Sequence, residues 1–195
     1  QTAHDSTLAL VRRGHTAGDF VRAFGMLRSA GIKVCVHLVL GLPGETAAHV
    51  AATAEFVARL DPDAVKLHDL HVCRGAALYG EYLAGEVTAP VPERYREYVI
   101  SVLERLPART VVMRLTTDTP AAERAAPRRP WPRERFAREL AAEMVRRGAR
   151  QGRLSPPWGR LSPPQGRPSS TALTPAGTQN KAGKLNAPNP QTAKP

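Results

Sequence analysis

Aliphatic residues dominate three short segments of the chain, and stretches with helical spacing separate them. The aliphatic segments cover residues 32–40, 64–72 and 110–116. Their length and their Val, Ile and Leu content predict β-strands. Apolar residues recur every three or four positions in four other segments, which predicts amphipathic helices from residue 16, over 46–60, from 92 and over about 133–147. Strands that alternate with helices predict an α/β fold with a parallel sheet and helical crossovers.

Capping residues predict where two of the helices begin and end. Thr16 and Asp19 have the spacing of a capping box, with Asp in place of Glu, and Gly31 is a typical helix stop. Ser6 is an N-cap residue type, which predicts a short helix over residues 7–13. Three strand–helix units are too few to close a barrel, so we expect this chain to be part of a longer protein.

Side chains alternate along a strand, so each predicted strand has two distinct faces. In the first strand, Lys33, Cys35, His37 and Val39 share the face opposite the aliphatic one. In the second, Lys66 and His68 share a face, and in the third, Val112, Arg114 and Thr116 do. We expect the aliphatic faces, including Val111 and Met113, to pack under the helices. The polar faces would then line a cavity for an anionic or hydrogen-bonding ligand.

A glycine-rich turn follows the first strand, in Gly41-Leu42-Pro43-Gly44-Glu45. Its glycines predict a backbone that a ligand can approach closely. Glu45 precedes a predicted helix, where the helix dipole favours a carboxylate. Because no Gly-Lys-Ser/Thr sequence follows, the turn does not have the pattern of a phosphate-binding loop.

The cysteines and histidines give no pattern of a protein-only metal site. Cys35 and Cys73 are far apart and belong to no Cys-x-x-Cys pair, as expected for reduced core residues of a cytoplasmic protein. His68 and His71 have no accompanying carboxylate or His-Glu-x-x-His motif. We therefore expect no metal ligands in this chain. No run of eighteen apolar residues exists, so no membrane span is expected.

Positive charge is concentrated in the last quarter of the chain. The net charge is +11, and residues 151–195 contain six Lys or Arg and no Asp or Glu. This balance is compatible with a polyanionic partner such as RNA, although solvated arginine-rich faces are the favoured explanation. Residues 153–195 are rich in Pro, Gly and Ser, which predicts a disordered tail after a folded portion over residues 1–152.

Several motifs in order resemble the radical SAM superfamily, and more narrowly its YhcC-like, Elongator-related subfamily. The motifs are Gln1 to Leu8, Arg13-Gly14-His15, Lys33 to Glu45, Lys66 to His71 and Arg114 to Asp118. The resemblance covers residues 1 to about 152. It implies the C-terminal half of a partial (β/α)6 barrel.

The resemblance also implies cofactors, partners and a chemistry. Members bind S-adenosylmethionine on a [4Fe–4S] cluster held by three cysteines, and reductive cleavage gives a 5′-deoxyadenosyl radical. That cysteine motif is absent here, so we expect this chain alone to be inactive. The full enzyme would accept electrons from a flavodoxin or ferredoxin, and one relative's role in modifying the wobble uridine of tRNA makes tRNA a candidate partner.

By the same resemblance, two sets of residues are candidates for the site, while no catalytic residue is assigned. The cofactor set is Gln1, His37, Gly41, Leu42, Pro43, Gly44 and Glu45. The substrate set is His4, Lys66, His68, His71, Arg114 and Asp118. An alternative stays open at this point: a non-catalytic half-barrel, either a pseudogene product or a chain that binds RNA or a small molecule.

Overall fold

A computed structural model of the chain describes residues 1–117 and 119–155. The predicted tail from residue 156 onward and the candidate residue Asp118 lie outside the described residues. The helices are α1 (Asp5–Leu10), α2 (Ala17–Ser29), α3 (Ala47–Leu60), α4 (Ala77–Leu83), α5 (Pro92–Arg105) and α6 (Arg133–Arg146). The strands are β1 (Cys35–Leu40), β2 (Ala64–Asp69), β3 (Val72–Cys73), β4 (Val111–Arg114) and β5 (Arg124–Ala126).

The main sheet has the order β1-β2-β4, and both strand pairs are parallel. This confirms the predicted α/β fold with a parallel sheet. Parallel neighbours need a crossover, and α3 and α5 supply the helices between successive strands. β3 and β5 form a separate antiparallel pair that the sequence pattern did not predict.

The hydrophobic core lies between one face of the main sheet and α3 and α5. On the sheet side, the core includes Val36, Leu38, Leu40, Val65 and Leu67, none more than 4% exposed. On the helix side, it includes Val50, Val57, Val99 and Val102. Burial of the aliphatic faces of β1 and β2 under helices is therefore confirmed, and it leaves Cys35, His37, Lys66 and His68 on the other face, which we call the open face.

β4 contradicts the predicted arrangement of its faces. Val65 pairs with Val112, but Lys66 pairs with Arg114, so a β-bulge makes Met113 an extra residue. Val111 and Met113 are 59% and 57% exposed, whereas Val112 packs against the core. The register with Val65 decides which valine faces the helices, and the sequence of β4 alone does not contain that register.

Of the two predicted helix starts with capping residues, that of α2 is confirmed and that of α1 is not. The predicted capping box of α2 is present: the Asp19 amide donates to Thr16 Oγ1 at 3.1 Å, and the Thr16 amide donates to Asp19 Oδ2 at 2.8 Å. The prediction for the first helix was wrong in its bounds and cap. α1 starts after His4 rather than at Thr7, and Arg12, with φ of 53°, lies outside it.

The second predicted strand is shorter than expected. It ends at Asp69 instead of continuing to Val72, because the chain turns at residues 70 and 71 and Val72 joins the small second sheet. This turn places His71 outside the strand. No helix in the described part of the chain is long and apolar enough to cross a membrane.

Candidate functional site

Basic side chains from three neighbouring strands meet at the open face, between the middle and the carboxyl ends of the strands. His37 of β1 pairs in register with Lys66 of β2, and Lys66 pairs with Arg114 of β4. The rings of His37 and His68 stack with their centroids 5.6 Å apart and an interplanar angle of 28°. We call His37, Lys66, His68 and Arg114 the basic cluster. The β-bulge at Met113 brings Arg114 into register with Lys66.

Mutual repulsion and burial change the proton affinity of the two histidines. Burial lowers the pKa of His37, and the positive charges of Lys66 and Arg114 lower it further. Burial also lowers the pKa of His68, followed by the effects of His37 and Arg114. Both rings are therefore favoured in their neutral form, which keeps ring nitrogen lone pairs available as acceptors.

One polar atom of the cluster is buried without a partner. His68 Nε2 has no hydrogen bond among the described residues. An unsatisfied buried polar atom is costly, and a bound ligand is one way to satisfy it. Cys35 lies on the same face, where burial raises the pKa of its thiol and opposes thiolate formation.

The glycine-rich turn sits next to the cluster, and its two glycines have different surroundings. Gly41 has φ of +88°, and a Cβ there would lie 2.7 Å from Pro90 Cγ. A ligand was expected to approach the backbone closely at Gly41, but Pro90 of this chain occupies that position. Gly44 has φ of +77°, and a Cβ there would meet no heavy atom within 4 Å. Of these two glycines, only Gly44 leaves open space of the kind expected for a ligand.

The other candidate residues of the turn differ in accessibility. The Leu42 side chain is 6% exposed and packs inward, so its side chain does not face a ligand. Pro43 is half-buried. Glu45 accepts a hydrogen bond from Thr2 Oγ1 at 2.5 Å, and Thr2 in turn contacts Thr53 Oγ1 at 3.2 Å. Sequence analysis missed Thr2 and Thr53, since nothing local links two threonines so far apart in the chain.

Two candidates near the N-terminus are held by backbone contacts. The Gln1 carbonyl accepts a hydrogen bond from the Val39 amide at 3.0 Å, which places Gln1 beside the edge strand β1. His4 Nε2 lies 3.0 Å from the carbonyl oxygen of His49, and the two imidazole rings are in edge contact at 4.8 Å. In the described part of the chain, no hydrogen bond or ring contact joins His4 to the basic cluster.

His71 is tied to the loop that follows β4. Its Nε2 lies 2.8 Å from Thr119 Oγ1, and its Nδ1 lies 3.3 Å from the Asp69 carbonyl oxygen. It stands close enough to His68 to lower the pKa of that residue slightly. The structure therefore places His71 at the rim of the cluster, outside the sheet.

The described residues do not fit a [4Fe–4S] cluster. Cys35 and Cys73 lie in different sheets, and no group of three or more His, Cys, Asp or Glu residues within residues 1–117 and 119–155 is arranged to hold a metal. This sequence contains two cysteines, so it cannot supply the three cysteine ligands of such a cluster.

Comparison with known proteins connects this site to a family. The sequence profile of the radical SAM superfamily matches residues 1–57, and that of the Radical_SAM C-terminal domain matches residues 62–146. The chain belongs to the radical SAM superfamily. It is 31% identical over 160 residues to the protein YhcC of Escherichia coli K12, covering 81% of this chain and 51% of YhcC. This places it in the YhcC-like, Elongator-related branch.

Two further matches concern Elongator-type proteins. The chain is 27% identical over 128 residues to the tRNA uridine(34) acetyltransferase of Methanocaldococcus infernus, covering 62% of this chain and 23% of that protein. The solved structure of Elp3 from the same organism, with an N-terminal deletion, matches with a TM-score of 0.70 and 24% identity. That match covers 77% of this chain and 35% of Elp3 and shows the fold. This radical SAM chain spans about half the length of YhcC.

Proposed function

We propose that this chain provides the S-adenosylmethionine-binding and substrate-binding face of a radical SAM enzyme that acts on tRNA. The observation that supports the proposal is the basic cluster on the open face, together with the open space at Gly44 in the turn that follows β1. Ligands of parallel α/β folds bind at the carboxyl ends of the strands, where His68 and Arg114 lie and where the turn from Gly41 to Glu45 begins. The three cysteines of the cluster would have to come from residues outside this sequence.

The residues present fit one side of an S-adenosylmethionine site. Gly44 leaves room beside the backbone, and the buried His68 Nε2 lacks a partner that a polar ligand would supply. Once an electron from the [4Fe–4S] cluster cleaves it to methionine and a 5′-deoxyadenosyl radical, bound S-adenosylmethionine would supply the radical that abstracts hydrogen from a substrate. The turn from Gly41 to Glu45 would hold the adenosyl end, and Thr2 fixes Glu45 through a hydrogen bond.

The same face suits a polyanionic substrate. Lys66 and Arg114 are basic side chains of the open face, and the whole chain has a net charge of +11. Phosphate contacts of Lys and Arg supply most of the affinity of proteins for nucleic acids and make it fall with salt. The relatives named for tRNA uridine(34) acetylation make tRNA the nucleic acid that we propose.

Binding of S-adenosylmethionine is tested first, by equilibrium dialysis of the radiolabelled compound against the 195-residue chain. We expect saturable binding that Gly44→Val removes. Gly14→Val is the matched control, because Gly14 has a similar φ of +74° and equally open surroundings in the turn after α1. Equal binding by both variants, or none by the parent chain, would reject this part of the proposal.

Binding of tRNA is tested separately by filter binding over a series of salt concentrations. We expect the double variant Lys66→Gln, Arg114→Gln to bind tRNA more weakly and with a smaller salt slope than the parent. The control removes the same charge from two exposed residues away from the open face, Arg138→Gln with Arg150→Gln. If both double variants lose affinity equally, the open face is not the tRNA site. If neither ligand binds, the alternative of a non-catalytic chain is favoured.

A further inference from the structure

A cavity lies on the helix side of the main sheet, and Thr119 in its wall contacts His71 at the rim of the basic cluster. Its volume is about 330 Å³. It is lined by the end of β2, the segment after β4, the first turn of α5, the segment around β5 and the start of α6. Asp69 of β2 contributes to its wall. Because successive side chains of a strand point to opposite faces, Asp69 points away from the face that holds His68.

Part of the cavity wall is aromatic and apolar. Tyr95 of α5 and Phe136 of α6 contact each other with ring centroids 5.2 Å apart, and Trp131 lies 6.3 Å from Phe136. Several prolines complete this part of the wall, among them Pro90 and Pro130. Small-molecule sites commonly combine such an apolar wall with a few polar groups, in cavities of about this volume or larger.

Arg124 in the wall forms no ion pair with the residues that the structure describes. The guanidinium of Arg124 donates to the carbonyl oxygen of Thr119, while its Nε is buried with no acceptor. Within the described part of the chain, no carboxylate forms an ion pair with Arg124. A half-buried guanidinium without a carboxylate is costly, so an anionic group in the cavity would stabilise it.

Asp69 in the same cavity is held by hydrogen bonds and not by an ion pair with a described residue. Asp69 Oδ1 accepts hydrogen bonds from the Thr117 amide at 2.9 Å and from Thr117 Oγ1 at 2.8 Å. No described Lys, Arg or His forms an ion pair with its carboxylate. The negative charge acts on the neighbouring Tyr95, whose pKa is raised by burial and also by Asp69.

We propose that this cavity binds a free α-amino acid with an apolar side chain. The carboxylate of the ligand accepts hydrogen bonds from Arg124, its ammonium group donates to Asp69, and its side chain packs against Trp131 and Phe136. Arg124 and Asp69 form no ion pair with any described residue and lie in one cavity with an aromatic wall, which also contains the guanidinium of Arg133. They are complementary to the two charges and the apolar group of such a ligand. This inference does not rest on the proposed function, which concerns the other face of the sheet.

The experiment is isothermal titration of the 195-residue chain with L-phenylalanine, L-methionine and L-leucine. N-acetyl-L-phenylalanine, which has no ammonium group, and L-phenylalaninamide, which has no carboxylate, are titrated beside them. We expect saturable binding of at least one amino acid, and roughly 10- to 100-fold weaker binding of each phenylalanine derivative, because charged hydrogen bonds account for a difference of that size. Absence of binding by every amino acid overturns the proposal, and so does equal binding of the derivatives.

Variants assign the two charges to their residues. Arg124→Gln should bind phenylalanine and its amide equally, whereas Arg124→Lys should keep the preference for the carboxylate. Asp69→Asn should remove the preference for phenylalanine over its N-acetyl derivative. Arg138→Gln and Glu86→Gln change exposed charges outside the cavity and should leave every affinity unchanged. Circular dichroism confirms that each variant is folded, and preferences that persist in Arg124→Gln and Asp69→Asn would overturn the proposal.

Discussion

His37 and His68 stack across two neighbouring parallel strands, with their ring centroids 5.6 Å apart. The contact is diagonal, because His37 is in register with Lys66 and His68 is in register with Val39. Two imidazolium rings at this distance, beside Lys66 and Arg114, would repel each other. The fold therefore accommodates the neutral rings, and the pKa of each histidine lies below its ordinary value of 6.5.

We predict that the chain loses stability as pH falls from about 7 to about 5. A histidine with a lowered pKa in the folded state binds fewer protons than in the unfolded state, so stability rises with pH in this range and falls on acidification. The carboxyls of Asp19 and Asp63, whose pKa values lie below their ordinary 3.8, are ionised throughout this range in both states. The urea midpoint measured at several pH values checks the prediction.

The histidine pair can be separated from other causes of acid sensitivity by substitution. His68→Gln should reduce the loss of the urea midpoint between about pH 7 and pH 5, because only His37 of the pair then titrates. His15→Gln is the control, because His15 is exposed in the turn before α2. An identical pH dependence in the parent and in His68→Gln would show that the stacked pair does not cause the effect.

The sequence pattern predicted the helix ends and strands whose structure depends on residues close to one another in the chain. The capping box of Thr16 and Asp19 and the start of α5 at Pro92 are confirmed, as are the strand cores of β1 and β2. The faces of β4 could not be predicted in the same way. Val111 and Val112 are identical side chains, and only the pairing of Val112 with Val65 and the bulge at Met113 decide which of them is buried.

We predict that these adjacent valines respond differently to truncation. Val112→Ala should lower the free energy of unfolding by about 1 kcal/mol, because a partly buried valine loses two methyl groups from the core. Val111→Ala should change it by less than about 0.5 kcal/mol, since Val111 is 59% exposed. Urea unfolding of both variants measures the difference. A larger loss in Val111→Ala would show that the strand has the opposite orientation.

The site was predictable only where it follows strand alternation. His37, Lys66 and His68 were placed on one face by their spacing, and the structure brings them together with Arg114. The cavity on the helix side joins residues as distant as Asp69 and Phe136, which no local pattern links. The approach of Pro90 to Gly41 was equally invisible in the sequence, because it depends on how the chain returns to the sheet after β3 and α4.

The two glycines of the turn should therefore differ in their tolerance of alanine. At Gly44, alanine meets open space, and only its positive φ of +77° opposes the change, at a cost of about 1–2 kcal/mol. At Gly41, the same backbone cost applies and the new methyl group would also lie 2.7 Å from Pro90 Cγ. We expect Gly41→Ala to be the more destabilising variant in urea unfolding. Equal losses would mean that Pro90 moves away without cost.

The hydroxyl of Tyr95 connects α5 to the segment after β4, and its removal should cost stability. Tyr95 is 3% exposed, and its hydroxyl donates to the Leu115 carbonyl oxygen at 2.6 Å. Tyr95→Phe leaves that carbonyl without this donor, so we predict a loss of about 1–2 kcal/mol in the free energy of unfolding. Tyr79→Phe is the matched control, because Tyr79 is only partly buried and stacks on Tyr82 at 6.4 Å. A loss in Tyr79→Phe as large as that in Tyr95→Phe would show that the buried hydrogen bond contributes nothing specific.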